Sequence, residues 1–281
     1  MAGQAVIVVG SGAAGLAAAL AASAAGAEVL VVERAHSLGG TTAISGGVVW
    51  APGNHLLDSM RRWGDVDDTV AYLKSIASGD SDHDLMTAFA SDAARVVSCL
   101  EERTSLTWSP LEDWPDYHEG IGSSGGGRSI WPEAQVFKSG VAALVQETPE
   151  SAADDPGGAR PSSDGVVFRG PVRGRVLVGA LVEALIDSGV ELRTGTRASR
   201  LCGRDGDVSG VVVDGEVISG RVVLATGGFQ HDAGLLASFL GAVPIAPMGT
   251  PGCAGDGLRM AMSAGAGLGN MSEGWWMPAM H

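Results

Sequence analysis

Tyrosine, cysteine and positive charge are all scarce in this chain. Its 281 residues include two tyrosines, three cysteines, and 18 lysines and arginines against 32 aspartates and glutamates, for a formal net charge of −14. A surface that binds nucleic acid or anionic lipid needs a basic patch. Here the cations are few and scattered, which argues against either as the main partner. Cys99, Cys202 and Cys253 are odd in number, far apart and without C-x-x-C spacing. That argues against a zinc site or a disulfide framework and fits a reducing, cytoplasmic setting. The first 27 residues carry no charge at all. They lack the basic leading region of a signal peptide, and their apolar content is mostly Ala and Gly broken by a glycine turn, unlike a spanning helix.

Glycine is abundant, at 43 residues, and hydrophobic residues reach 45%. A sizeable core with many tight turns is therefore affordable, in one large α/β domain or two smaller ones. "AVIVV" (5–9) reads as a buried strand, "GSGAAG" as a turn, the stretch to about Ala25 as a helix, and "EVLVVE" (28–33) as a second buried strand. Helical patterns follow at 66–78 and 82–102, the second started by "SDHD" with Leu85, Phe89, Ala93, Val96, Val97 and Leu100 as packing positions. Residues 104–132 read as irregular, and 147–165 as a surface loop. A helix at 174–189 leads to the strand "VELRTG". The turns "RDGD" and "DGEV" suggest a hairpin or small meander. "RVVLATGGF" (221–229) is another buried strand entering a Gly turn, and helical patterns recur at 231–240 and 255–266. Alternating strands and helices predict a Rossmann-like, doubly wound parallel sheet with a small β meander.

Gly10, Gly12 and Gly15 form G-x-G-x-x-G between a strand and a helix. In that context Gly10 serves the tight turn, Gly12 lets backbone approach a pyrophosphate, and Gly15 lets helix and strand pack closely. Glu33, at the end of the second strand, stands where an acid binds ribose hydroxyls. A Glu rather than an Arg there argues against a 2′-phosphate, hence against NADP. "GGTTAISGG" (39–47) adds hydroxyls and bare amides, and "ATGGF" (225–229) a second close-approach turn. Contacts spread over so many segments favour FAD over NAD.

With these pieces assembled, the chain resembles the FAD-dependent oxidoreductases that include fumarate reductases and 3-ketosteroid Δ1-dehydrogenases. The resemblance is carried by the opening β-turn-α-β unit, "GGTTAISGGVVWAPGN", "RVVLATGGF" and "GCAGDGLRMAMSAGAGLGNM". "SGGVVWAPGN" and the terminal "WWMP" tilt it toward the ketosteroid branch. The resemblance implies that Gly10, Gly12, Ala13, Ala14, Gly15, Glu33, Gly40, Thr41, Thr42, Ser45, Gly46 and Gly47 line FAD. It adds Ala198 at the adenine, then Ala225, Thr226, Gly227 and Gly228, and Asp256, which either reaches the ribityl chain or caps the following helix. Hydride then moves between a substrate carbon beside a ketone and the flavin, with a tyrosine assisting the neighbouring proton. The substrate is a ketosteroid or another enone or ketone, and the electron acceptor is left open. Of the two tyrosines, Tyr72 reads as packing. Tyr117, in a Gly- and Trp-flanked loop, resembles the family's supporting catalytic tyrosine; a plain surface-loop residue is the alternative.

The same family continues well past this length, through a substrate cap and a return to the FAD domain. The expectation is an FAD-binding domain over 1–271, with a substrate-side insertion at about 104–172, and 272–281 as the start of a linker to a cap. An N-terminal part inactive alone, a split enzyme with a partner chain, a fumarate reductase-like activity and a plain FAD- or NAD-binding module are the readings that remain open.

Overall fold

The structure, a computed structural model, describes residues 5–59, 66–77, 81–146, 160–168, 173–204, 206–241 and 247–275. It opens with β1 (Val6–Val9), α1 (Ala13–Ala24) and β2 (Val29–Val32), the unit legible in the first 33 residues. Next come α2 (Gly40–Ala43), β3 (Val49–Trp50), α3 (Leu56–Ser59), α4 (Val66–Ile76) and α5 (His83–Arg103). Then follow β4 (Trp108–Pro110), β5 (Ser129–Pro132), β6 (Gln135–Phe137), α6 (Ser139–Leu144), β7 (Arg160–Ser162) and β8 (Gly165–Phe168). The chain continues through α7 (Gly174–Asp187), β9 (Glu191–Arg193), β10 (Ala198–Arg204), β11 (Asp207–Val213) and β12 (Glu216–Ser219). It closes with β13 (Arg221–Leu224), α8 (Ala233–Phe239) and α9 (Asp256–Ser263).

Four parallel strands form the central sheet, in the order β13-β1-β2-β9. The two central strands, β1 and β2, are buried on both faces, as their continuous apolar sequences require, whereas edge strand β9 exposes Glu191 and Arg193. Successive side chains point to opposite faces, and the two core clusters divide accordingly. Val8, Val29 and Val31 pack with Leu16 and Ala19 of α1 and with Val178, Leu181 and Leu185 of α7. Ile7, Val9 and Val32 face the other way, against Val211 and Val213 of β11 and Met260 of α9. The second face is thus covered by the antiparallel meander β10-β11-β12. Its β11–β12 turn is Asp214-Gly215, with φ of 47° and 90°. Two successive positive φ angles are what a two-residue hairpin turn demands, and Asp-Gly meets that demand cheaply.

Two readings of the sequence need correction. The segment 104–132 is not wholly irregular, because β4 and β5 pair antiparallel within it, and β5 also pairs with β3. Strands this short, ending on Pro110 and Pro132, give little periodicity to read. The apolar stripe of α5 is also narrower than expected. Ala90, Ala93 and Val97 are buried, whereas Leu85 (69% exposed) and Val96 (51% exposed) face outward. The start of α5 is as read, with Asp82 Oδ1 accepting from the amides of Asp84 (2.8 Å) and Leu85 (3.3 Å). Tyr72 is buried, as expected. Of the loop read at 147–165, residues 147–159 lie outside the described residues, while residues 160–162 belong to β7, which pairs with β8.

Asp232 joins α8 to α9. Its Oδ1 accepts from the Leu235 amide (2.9 Å), and its Oδ2 accepts from Arg259 Nε (3.1 Å) and Nη2 (2.6 Å). The Arg259 guanidinium first, and the Leu235 amide second, hold its carboxyl below the usual carboxylate range. A folded-state pKa lowered in this way adds stability above the ordinary carboxylate range, and that stability is lost as pH falls through the lowered value. Asp232→Asn is therefore expected to flatten the acid limb of the Tm-against-pH curve. Because the pair lies at the surface, the difference should shrink at high salt.

Candidate cofactor site

The site forms at the carboxyl edge of the parallel sheet, where the strand register brings three distant segments together. Val9 lies opposite both Val32 and Leu224. The residues that follow therefore emerge side by side: Gly10 N–H donates to Val32 O (2.9 Å), and Ala225 N–H to Val9 O (2.8 Å). A cleft of about 510 Å³ opens there. In open α/β sheets this edge is where ligands bind.

The glycines of the first turn have different physical reasons. Gly10 has φ +104°, and a Cβ there would run into the carbonyl of Ala225. A Cβ on Gly15 would run into the carbonyl of Gly10. Both positions are required by the protein's own packing. Gly12 differs. It caps α1 at φ −66° and ψ 176°, an ordinary conformation. A Cβ there would reach only Thr42 Oγ1 (3.6 Å) and Gly39 O (4.0 Å). The fold leaves this position empty without needing to, on the cleft wall at the first turn of a helix, where orphan amides and the helix dipole favour a phosphate.

Glu33 is not a free surface acid. Its Oε2 accepts from the Ser11 amide (3.0 Å) and hydroxyl (2.7 Å), and its Oε1 accepts from the Ala35 amide (2.9 Å). Ser11 Oγ in turn accepts from Gly39 N–H (3.1 Å). Fully buried Ser11 thus ties the acid, the glycine turn and the start of the 39–47 loop together. Thr42 Oγ1 accepts from the Ala13 amide (3.1 Å), which holds that loop against α1. Thr41 Oγ1 accepts from Thr250 N–H (3.2 Å) and lies 3.3 Å from Cys253 Sγ.

Of the residues expected to meet a cofactor, Gly10, Gly12, Ala13, Ala14, Glu33, Gly40, Thr41, Thr42, Ala198, Ala225, Thr226, Gly227 and Asp256 all line the cleft. Five others lie off its wall. Gly15 packs behind the turn. Ser45 donates to Thr42 O (2.8 Å) and accepts from Gly47 N–H (3.1 Å). Gly47 (φ +72°) abuts Arg173 and Gly174. Gly46 is exposed, and the Gly228 carbonyl accepts from Gly255 N–H (3.1 Å). Tyr117 lies on a separate, exposed loop, with its ring edge against Trp275 at 5.4 Å.

Asp256 opens α9, but Gly255 is the cap and no side chain caps the helix. The Asp256 carboxylate instead pairs with Arg34 Nη1 (3.1 Å) and Arg197 Nη2 (3.1 Å), at the Glu33–Ala198 side of the cleft. Ser11, Arg34, Arg197, Thr250 and Cys253 line the cleft without having been singled out in the sequence. Ser11 occupies a variable place in the glycine motif. Arg34 and Arg197 flank Glu33 and Ala198, and adjacency was the only available signal.

A glycine turn, a held acid and a Cβ-free approach at the carboxyl edge of a parallel sheet define a dinucleotide-binding protein. Two hydroxyl-bearing segments beyond the phosphate turn extend the wall further. The family described as FAD binding domain matches residues 5–281, and the chain belongs to that family; FAD is its cofactor. The chain is similar to 4-oxocyclohexanecarboxylate 2-dehydrogenase of Sinomonas cyclohexanicum, with 34% identity over 300 residues, covering 97% of this chain and 52% of that protein. It is also similar to 3-oxosteroid 1-dehydrogenase of Mycobacterium tuberculosis, with 31% identity over 331 residues, covering 98% of this chain and 56% of that protein. Among solved structures it resembles 3-ketosteroid delta1-dehydrogenase of Sterolibacterium denitrificans, crystallised with 1,4-androstadiene-3,17-dione. There the TM-score is 0.83 at 26% identity, over 100% of this chain and 58% of that one. The chain thus spans about half the length of the relatives it matches. No helix among the described residues is long and apolar enough to cross a membrane.

Proposed function

We propose that this chain holds the FAD of a dehydrogenase that oxidises a carbon–carbon single bond beside a ring ketone. The observation that carries the reading is the cleft at the sheet edge, where Gly12 leaves room that only a ligand uses. Similarity over nearly the whole chain to dehydrogenases named for 3-oxosteroids and for 4-oxocyclohexanecarboxylate supports the substrate class, a cyclic ketone. FAD, when bound, supplies the hydride acceptor.

The first-turn amides at Gly12 and Ala14 then hold the pyrophosphate, with Ala13 on the same wall giving its amide to Thr42 Oγ1, and Glu33 takes the ribose hydroxyls. Ala198 flanks the adenine with Asp256 close by. Gly40, Thr41, Thr42 and the turn Ala225–Gly228 extend the grip, and Gly15, Ser45, Gly46 and Gly47 support it from behind. Tyr117 Oη assists removal of the proton next to the hydride-losing carbon, a step made easier when the ketone is polarised. We assign 1–271 to this FAD-binding unit, with its substrate-side insertion at about 104–172, and 272–281 to the start of a linker. Residues 276–281 lie outside the described residues. A further segment or a partner chain completes the substrate side. A cytoplasmic location is supported by three cysteines without a disulfide.

The test is flavin reduction in the full-length polypeptide by a 3-oxosteroid and by 4-oxocyclohexanecarboxylate, with an artificial electron acceptor for turnover. Bleaching of the flavin by at least one cyclic ketone is expected. A flavin that neither bleaches, and that fumarate reoxidises rapidly, would assign the chain to the reductase side of its relatives.

A further inference from the structure

The stretch "WAPGN" (50–54) has no part in the cleft, yet it starts three residues after the cofactor loop ends. Its two polar side chains both reach the loop between residues 116 and 127. Trp50 Nε1 donates to Asp116 Oδ1 (2.7 Å). Asn54 Nδ2 donates to Ala51 O within its own turn (2.7 Å) and to the Gly127 carbonyl (3.2 Å), and Ala51 N–H donates to Arg128 O (2.7 Å). Asp116 and Gly127 are the two ends of the loop that carries Tyr117. We propose that Trp50 and Asn54 form a bracket that fixes this loop to the cofactor side, with Asp116 as the residue that positions Tyr117. The proposal rests on the catalytic reading of Tyr117 given above.

The loop's interior supports it. Asp116 Oδ2 accepts from Arg128 Nη1 (2.7 Å) and from the Ser124 amide (2.8 Å), and Arg128 Nη1 also donates to Gly122 O (2.9 Å). The two charged side chains are 2% and 5% exposed, whereas Tyr117, next in sequence to Asp116, is 66% exposed. Buried ion pairs are poor sources of net stability compared with apolar packing, and their best-attested use is to fix geometry. Trp50 is itself held flat against Phe89, with ring centroids 5.6 Å apart, so its N–H is aimed rather than free to turn. An ordinary surface tyrosine needs none of this support.

The readout uses the fact that the chain has only two tyrosines. In the FAD-loaded 281-residue chain labelled with 3-fluorotyrosine, fluorine NMR gives two resonances, assigned by Tyr117→Phe. The Tyr117 signal is expected to be displaced from that of free 3-fluorotyrosine by the Trp275 ring. Trp50→Phe keeps an aromatic ring between Phe89 and Tyr72 and removes the hydrogen bond to Asp116, while Asp116→Asn removes the charge. Loss of most of the Tyr117 displacement in either variant, with FAD still bound and the helical circular dichroism of the parent retained, supports the bracket; Tyr72 packs on Trp50 and is not the control. An unchanged Tyr117 signal in both overturns it. Full turnover by Tyr117→Phe in the full-length polypeptide would instead remove the catalytic reading, leaving the resonance result to decide the bracket separately.

Discussion

Gly12→Val is expected to fold like the parent chain and to purify without flavin. The backbone at residue 12 is at φ −66° and ψ 176°, which valine adopts readily, and a Cβ there meets no atom closer than 3.6 Å. The added side chain takes up the approach of the pyrophosphate instead. If it displaces two amide–phosphate hydrogen bonds at about 1.5–3 kcal/mol each, FAD binding weakens by about 3–6 kcal/mol, roughly a hundred- to ten-thousand-fold. Calorimetry with FAD measures the loss, and the thermal midpoint of the apoprotein checks the fold. Gly15→Val is the contrasting variant. Its side chain would be driven into the Gly10 carbonyl, so stability and flavin should be lost together. If Gly12→Val lost both in the same way, the glycine would be serving the fold and not the ligand.

The second large effect is on stability. Arg128→Met leaves the Asp116 carboxylate, 2% exposed, without its cation. Breaking a buried pair by removing one partner costs about 3–5 kcal/mol, a large share of the about 5–15 kcal/mol that holds a native protein together. By the usual scaling for domains of this size that is a fall of roughly 6–20 °C in Tm. The exposed pair Arg95–Asp92 provides the control, at 80% and 53% side-chain exposure. Arg95→Ala is expected to change stability by less than about 1 kcal/mol. Equal effects from the two substitutions would mean that the Asp116–Arg128 pair is not buried as described.

These two sites were unequally legible in the sequence. The glycine turn and Glu33 could be read because strand, turn, helix, strand and acid lie within 33 consecutive residues, each with its own local signal. Ala225 to Gly227 could be read because a buried apolar run ends on a Gly pair. The bridges that close the site were not readable, because their partners meet only through the fold. Arg34 and Asp256 are 222 positions apart, and Trp50 and Asp116 are 66 apart. The meander was anticipated from its turns, but not its place over the second face of the sheet, since alternation on a short strand does not say what the strand covers. Leu85 and Val96 misled for a related reason. Helical spacing marks an apolar stripe, but only packing shows how wide the buried part is. Asp256 at the start of a helical pattern suggests a cap or a ribityl contact; its two arginines, Arg34 and Arg197, stand apart from it in sequence and leave no local pattern.

The most direct test of the account is FAD binding by the purified 281-residue chain, stripped of flavin and titrated while visible flavin absorbance and tryptophan fluorescence are followed. Saturation at one FAD per chain is expected, with competition by ADP and little competition by NADP, since Glu33 stands where a 2′-phosphate would have to sit. A chain that takes up NAD and shows no uptake of FAD would contradict it.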